Sequence, residues 1–144
     1  MATLKIVFYS CIAAIFLMTC DDDYEEPVGV YEEWTLVKMT YPALNQVATG
    51  NAMDWQEVYT FFSDGTFEKI RVRDSEEIIA LGTFQLSEFT GEKLIRLQFR
   101  SGRSIVNGCE GERQETLRKT SEITLRGTWE SCDGPILEYR LTRG

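Results

Sequence analysis

From residue 30 onward the apolar residues of this chain recur at every second position, in short stretches broken at close intervals by turn-forming residues. That period suits a half-buried β-strand, whose side chains alternate between two faces, and long helical periodicity is absent. Eight strands are predicted, near residues 30–40, 56–62, 66–73, 77–86, 94–100, 113–119, 122–130 and 136–142. Ile95, Leu97 and Phe99 share one face, as do Ile123, Leu125 and Trp129, and as do Leu137, Tyr139 and Leu141; these faces are expected to line a core. The strongest punctuation is Ser63-Asp64-Gly65-Thr66, where Asp-Gly suits the positive φ values of a tight hairpin. Weaker turns fall at Thr90-Gly91-Glu92, Ser101-Gly102, Lys119-Thr120-Ser121 and Asp133-Gly134-Pro135. Two segments fit the pattern less well. Residues 113–119 offer only Leu117 as an apolar anchor, and in 66–73 Phe67 and Ile70 fall on opposite faces, which a bulge between them would repair.

Short strands joined mostly by brief turns predict an all-β chain: an eight-stranded antiparallel up-and-down meander that closes into a barrel and so removes both sheet edges. A two-sheet β-sandwich with Greek-key connections is the alternative. In a meander alternate loops lie at the same end. The loop after the fifth strand, holding Cys109, therefore neighbours the loop after the seventh, holding Cys132, with the long loop 43–54 at that end too.

Ahead of the alternating region, Lys5 precedes an apolar run, Ile6 to Met18, then Thr19-Cys20 and the acidic Asp21-Asp22-Asp23-Tyr24-Glu25-Glu26. A basic start, an apolar stretch of roughly 7–15 residues and a cleavage point are the parts of a secretory signal, and they stand here in order. A membrane-spanning anchor, the competing reading, needs about 20 apolar residues and a basic flank, and the run has neither. Leu17-Met18-Thr19-Cys20 resembles a bacterial lipobox, which implies removal of residues 1–19 and diacylation of the Cys20 thiol. Residues 20–29, acidic and carrying Pro27 and Gly29, then form a tether, and residues 30–144 a single domain.

The signal reading sorts the four cysteines. Cys11 leaves with the leader, Cys20 takes the lipid, and Cys109 and Cys132 stay together in an oxidising compartment, where a disulfide is expected. Two buried free thiols are the alternative. A structural zinc site lacks ligands, because the chain has no histidine. The formal net charge is −8, and the leader removes only Lys5 among the charged residues, so the mature chain is more acidic still. Nucleic acid is disfavoured as a partner, since phosphate binding relies on clustered Lys and Arg.

Trp34-Thr35-Leu36-Val37, the segment Tyr59-Thr60-Phe61-Phe62-Ser63-Asp64-Gly65-Thr66-Phe67, the strand Gly82-Thr83-Phe84-Gln85-Leu86 and the closing Tyr139-Arg140-Leu141 resemble the small lipocalin-like lipoproteins of Bacteroidetes. The resemblance covers most of residues 30–143. It implies a calyx-like eight-stranded barrel with a small hydrophobic ligand inside, and an arginine, Arg140 or Arg143, covering the Trp34 ring through a cation–π contact. It departs from the lipocalin pattern at Glu32, where a glycine is usual two residues before the first-strand tryptophan. Gly127-Thr128-Trp129 has the Gly-x-Trp form but lies near the chain end. The acidic run 21–26 also resembles an export signal for the outer face of the outer membrane, which implies the cell surface; attachment facing the periplasm is the alternative.

The absence of histidine excludes histidine triads, histidine general bases and histidine-ligated metals. Carboxylate pairs can run glycoside hydrolysis when held roughly 5–10 Å apart, but Glu110, Glu112, Glu130 and Asp133 read as a solvated acidic rim with no pair singled out. The run 21–26 lacks the loop pattern that wraps calcium. Lys93, Arg96, Arg100 and Arg103 are expected to pair with the acidic excess. Trp34, Trp55, Tyr59, Phe61, Phe62, Phe67, Phe84, Phe99 and Trp129 either line a ligand cavity or fill the barrel. The expectation is a noncatalytic, membrane-anchored binding module without metal or cofactor, serving a small hydrophobic ligand or a surface partner. A periplasmic protease inhibitor and an accessory subunit of a surface complex are its rivals.

Overall fold

The computed structural model describes residues 28–109, 111 and 113–144; the proposed leader, Cys20 and the acidic run lie outside them. Nine strands follow one another: β1 (Val30–Tyr41), β2 (Gln46–Thr49), β3 (Gln56–Phe62), β4 (Thr66–Arg73), β5 (Glu76–Phe89), β6 (Glu92–Phe99), β7 (Gln114–Ser121), β8 (Thr124–Gly127) and β9 (Ile136–Arg143). From β3 to β9 each strand pairs antiparallel with the next. β1 pairs with both β3 and β9, so these eight strands close into a barrel. The closing seam runs from Glu33 opposite Arg143 to Thr40 opposite Ile136. The up-and-down barrel is the fold, and the sandwich is excluded.

The extra strand β2 lies inside the stretch predicted as a loop. Barrel strands are tilted, and β1 parts from β3 beyond Thr35. β2 covers the edge so exposed by pairing Gln46–Thr49 with Lys38–Tyr41, across a turn in which Asn45 takes φ 49°. Two other expectations are corrected. β7 continues through the predicted turn 119–121 to Ser121, so Ile123 sits exposed at a hairpin tip, away from the face of Leu125. β8 stops at Gly127 and a short 3-10 turn, Trp129–Cys132, carries Trp129 off the strand.

Turn chemistry sets the hairpins. In the β3–β4 connection only Gly65 takes a positive φ, 81°, while the Asp64 carboxylate accepts hydrogen bonds from the Thr66 backbone N–H at 2.9 Å and its hydroxyl at 2.6 Å. Asp74 and Ser75 both take positive φ, 51° and 67°, in a two-residue link between β4 and β5. No bulge interrupts β4, which pairs without slippage from Thr66 to Arg73. Its alternation departs from the apolar pattern because the inward positions are Phe67, Lys69 and Arg71, and Ile70 points outward.

Two ends result. The hairpin end carries the chain's entry at Val28 and the β3–β4, β5–β6 and β7–β8 turns. The loop end carries the longer connections, and there residues 100–109 turn inward through the 3-10 turn Arg103–Ile105, burying Ile105 and Asn107 inside the barrel mouth. Cys109 and Cys132 are disulfide-bonded, with their Cα atoms 5.8 Å apart, and tie this inserted loop to the β8–β9 connection, as loop parity predicts.

Aromatic rings fill the axis. Phe61 meets Phe84 at 4.8 Å between centroids, Phe67 meets Phe99 at 5.0 Å, and Tyr59 meets Tyr139 at 5.2 Å, all edge to face. Removing each large apolar side chain from water stabilises the fold by about 1.5–3 kcal/mol. Gly82 makes room for this cluster. A Cβ there would stand 2.2 Å from the Gln98 carbonyl oxygen and 2.6 Å from the Phe67 ring, and the first of these is backbone that cannot swing away. Gly82→Ala is therefore expected to cost about 1–3 kcal/mol through overpacking, read as a lower urea midpoint with an unchanged slope.

Candidate functional site

The side chains with the richest chemistry lie at the loop end, sealed in the barrel. Inward positions of β3, β4 and β7 place Glu57, Lys69 and Glu115 toward the axis, all essentially without solvent exposure. The Lys69 ammonium reaches Glu57 at 3.3 Å and Glu115 at 3.0 Å, and donates to the Ile105 carbonyl at 2.7 Å. Arg71 donates through Nε to Glu57 at 2.7 Å and through its terminal nitrogen to Asn107 at 2.6 Å, with its guanidinium 4.3 Å from the Trp55 ring. Tyr139 donates to Glu57 at 2.7 Å, Tyr59 donates to Glu115, and the Asn107 backbone N–H donates to Glu115 at 3.0 Å. Two carboxylates meet two cations, so the cluster is neutral and each charged group has several partners.

The electrostatics follow from that arrangement. Burial alone would raise the Glu57 carboxyl, but the Lys69 and Arg71 charges and the bonds donated by Tyr139 and Arg71 outweigh it and hold the group below its ordinary value. Burial, then the neighbouring carboxylates, pushes the Tyr59 and Tyr139 phenols well above 10. Both phenols therefore stay protonated as donors. The inserted loop covers Glu57, Lys69 and Glu115 completely and leaves Arg71 partly exposed at the mouth.

The second feature is open. At the hairpin end a cleft of about 410 Å³ is lined by Tyr31 and Glu32 of β1, Leu86, Ser87 and Glu88 of β5, Lys93, Leu94 and Ile95 of β6, and Lys119 of β7. Leu86 and Ile95 face each other across β5 and β6, and Lys93 lies opposite Lys119 across β6 and β7. Glu122 bridges the lysines, at 3.4 Å from Lys93 and 3.3 Å from Lys119. The cleft thus joins apolar walls to both signs of charge.

Among the residues singled out from sequence, Tyr59, Phe61, Phe67 and Phe99 are buried in the axis, Trp34 is buried below the cleft, and Phe62 lies off the core on β3. Trp55 and Trp129 pack together at the loop end, 6.4 Å between centroids. The cation over Trp34 is Lys119, 5.7 Å from the ring centroid; neither Arg140 nor Arg143 takes that place, because Arg140 pairs with Thr35 on the opposite parity and Arg143 with Glu33. Glu32, at the position where a glycine is usual, accepts the Trp34 indole N–H at 2.9 Å. Glu130 pairs with Arg126 at 3.1 Å and Asp133 sits in a turn with φ 67°; Glu110 and Glu112 lie outside the described residues. Lys93 pairs with acid as expected, through Glu122. Sequence reasoning missed Glu57, Lys69, Arg71, Asn107 and Glu115. Their one signal was the broken alternation of β4. Among the described residues no three of His, Cys, Asp or Glu come close enough to hold a metal ion.

These features define a closed eight-stranded antiparallel barrel with a packed axis and an apolar-walled cleft at its hairpin end. No protein family, curated protein or solved structure matches this chain.

Proposed function

We propose that this chain is an exported lipoprotein, anchored through Cys20 in the outer membrane at the cell surface, whose lipocalin-like barrel is a noncatalytic module binding a small amphiphilic ligand. The ligand occupies the hairpin-end cleft and not an internal calyx. The observation that supports this most is the contrast between axis and mouth: aromatic rings and the ion cluster fill the axis, whereas the hairpin-end cleft keeps about 410 Å³ between the apolar Leu86 and Ile95 and the lysines. An apolar wall takes a hydrocarbon or ring, and Lys93 and Lys119 take its polar head.

The probe is anilinonaphthalene sulfonate, which combines rings with an anion. The mature protein is expected to enhance its fluorescence, Leu86→Arg to abolish that enhancement, and Leu44→Arg, at the exposed loop end, to leave it unchanged. Equal responses from both variants, or no enhancement with the unaltered protein, would remove the cleft as the binding site. The anchor has its own readout: Cys20→Ala is expected to move the protein from the membrane to the soluble fraction.

A further inference from the structure

We propose that the hairpin end of the barrel docks on the surface of the lipid bilayer, with Val28, Tyr31, Leu86, Phe89 and Ile123 as the apolar side chains that meet it. This rests on the reading of Cys20 as a lipidated residue. Each of the five is half exposed or more. They come from three separate segments, the entry to β1, the β5–β6 hairpin and the β7–β8 hairpin, yet the topology brings them to one end. Clustered exposed apolar groups of this kind mark an interaction surface.

The tether decides what covers them. The chain enters the barrel at this end, and Val28 follows Cys20 by eight residues, a reach of about 27 Å when fully extended. β1 alone, with 12 residues, runs about 40 Å along its own direction. An acylated Cys20 therefore holds the hairpin end against the membrane, and the loop end with its disulfide points away. The exposed charges at this end are mixed in sign and fit a zwitterionic lipid surface: Lys93 offers a cation to phosphates, and Glu88 and Glu122 offer carboxylates to ammonium groups beside them. The binding cleft then opens toward the bilayer itself.

The test uses the full-length lipidated protein on vesicles of phosphatidylethanolamine and phosphatidylcholine that carry nitroxide-labelled lipids. Single cysteines replace Ile123 at the hairpin end, Ile79 on the barrel wall and Leu44 at the loop end, each bearing a polarity-sensitive fluorophore while Cys109 and Cys132 stay bonded. The label at 123 is expected to be quenched at a depth of roughly 5–10 Å into the headgroup and acyl boundary, with those at 79 and 44 unquenched. Quenching at 79 in place of 123 would mean side-on docking and overturn the proposal. Protein that floats with vesicles but shows no quenching at 123 overturns the docking and leaves the anchor standing. Unaltered protein that fails to float removes both.

Discussion

Replacing Lys69 by Met is expected to lower the unfolding free energy by about 3–5 kcal/mol, because it leaves the Glu57 and Glu115 carboxylates buried without the ammonium between them. Urea unfolding of the mature protein at neutral pH measures it. Lys38→Met is the control. It breaks a shorter ion pair, 2.7 Å to Glu138, but one open to solvent, and should change stability by only about 0–1 kcal/mol. Equal losses from both would show that the buried charges are not coupled as the distances imply. The same network fixes the pH response of the unaltered protein. The Glu57 carboxyl is held below its ordinary value of 4.5, so its contribution is fully present above 4.5 and is lost as pH falls through the lower folded-state value. The Tyr59 and Tyr139 phenols lie above their ordinary value of 10.0, so their contribution is present below 10.0 and is lost as pH rises toward their folded-state values. Urea midpoints should therefore be flat near neutrality and fall on both sides.

The second large effect belongs to the disulfide. Cys109→Ser together with Cys132→Ser opens a loop whose ends are 23 residues apart, and chain entropy puts the loss at about 3 kcal/mol. The structural consequence is local to the loop end. The bond holds the segment that ends at Cys109, and with it the Ile105 carbonyl and Asn107 that complete the Lys69 and Arg71 coordination. Hydrogen exchange should therefore speed up around Ile105 and Asn107 in the double variant while the β5–β6 hairpin keeps its protection. Uniform loss of protection would indicate that the bond restrains the unfolded chain alone.

The barrel was legible in the sequence because inward apolar positions recur with period two, and β3, β4, β6 and β9 fall almost on their predicted bounds. The pairing of Cys109 with Cys132 was legible for a related reason, since loop parity in a meander is fixed once the strands are counted. β2 was not. Its four residues are too few for a period to show, and it exists to cover an edge that appears only when β1 tilts away from β3. Lys69 was hidden for a different cause. A lysine on the inward face reads locally as a fault in the pattern, and its partner Glu115 lies 46 residues further on. Burying it is favourable only after four strands and a folded-in loop have met around it, and no local window contains that condition. The cleft shared this fate, as Tyr31, Leu86, Lys93 and Lys119 come from four strands.

One small element limits how copies of this molecule can meet. Among the described residues, β2 is the single strand flanked on one side only, and its free margin is the four residues Gln46–Thr49, shorter than the usual strand of about 5–6 residues. Backbone-to-backbone recruitment of a neighbouring chain thus finds almost no template. Self-association, where it occurs, must be written in side chains and not in a shared sheet.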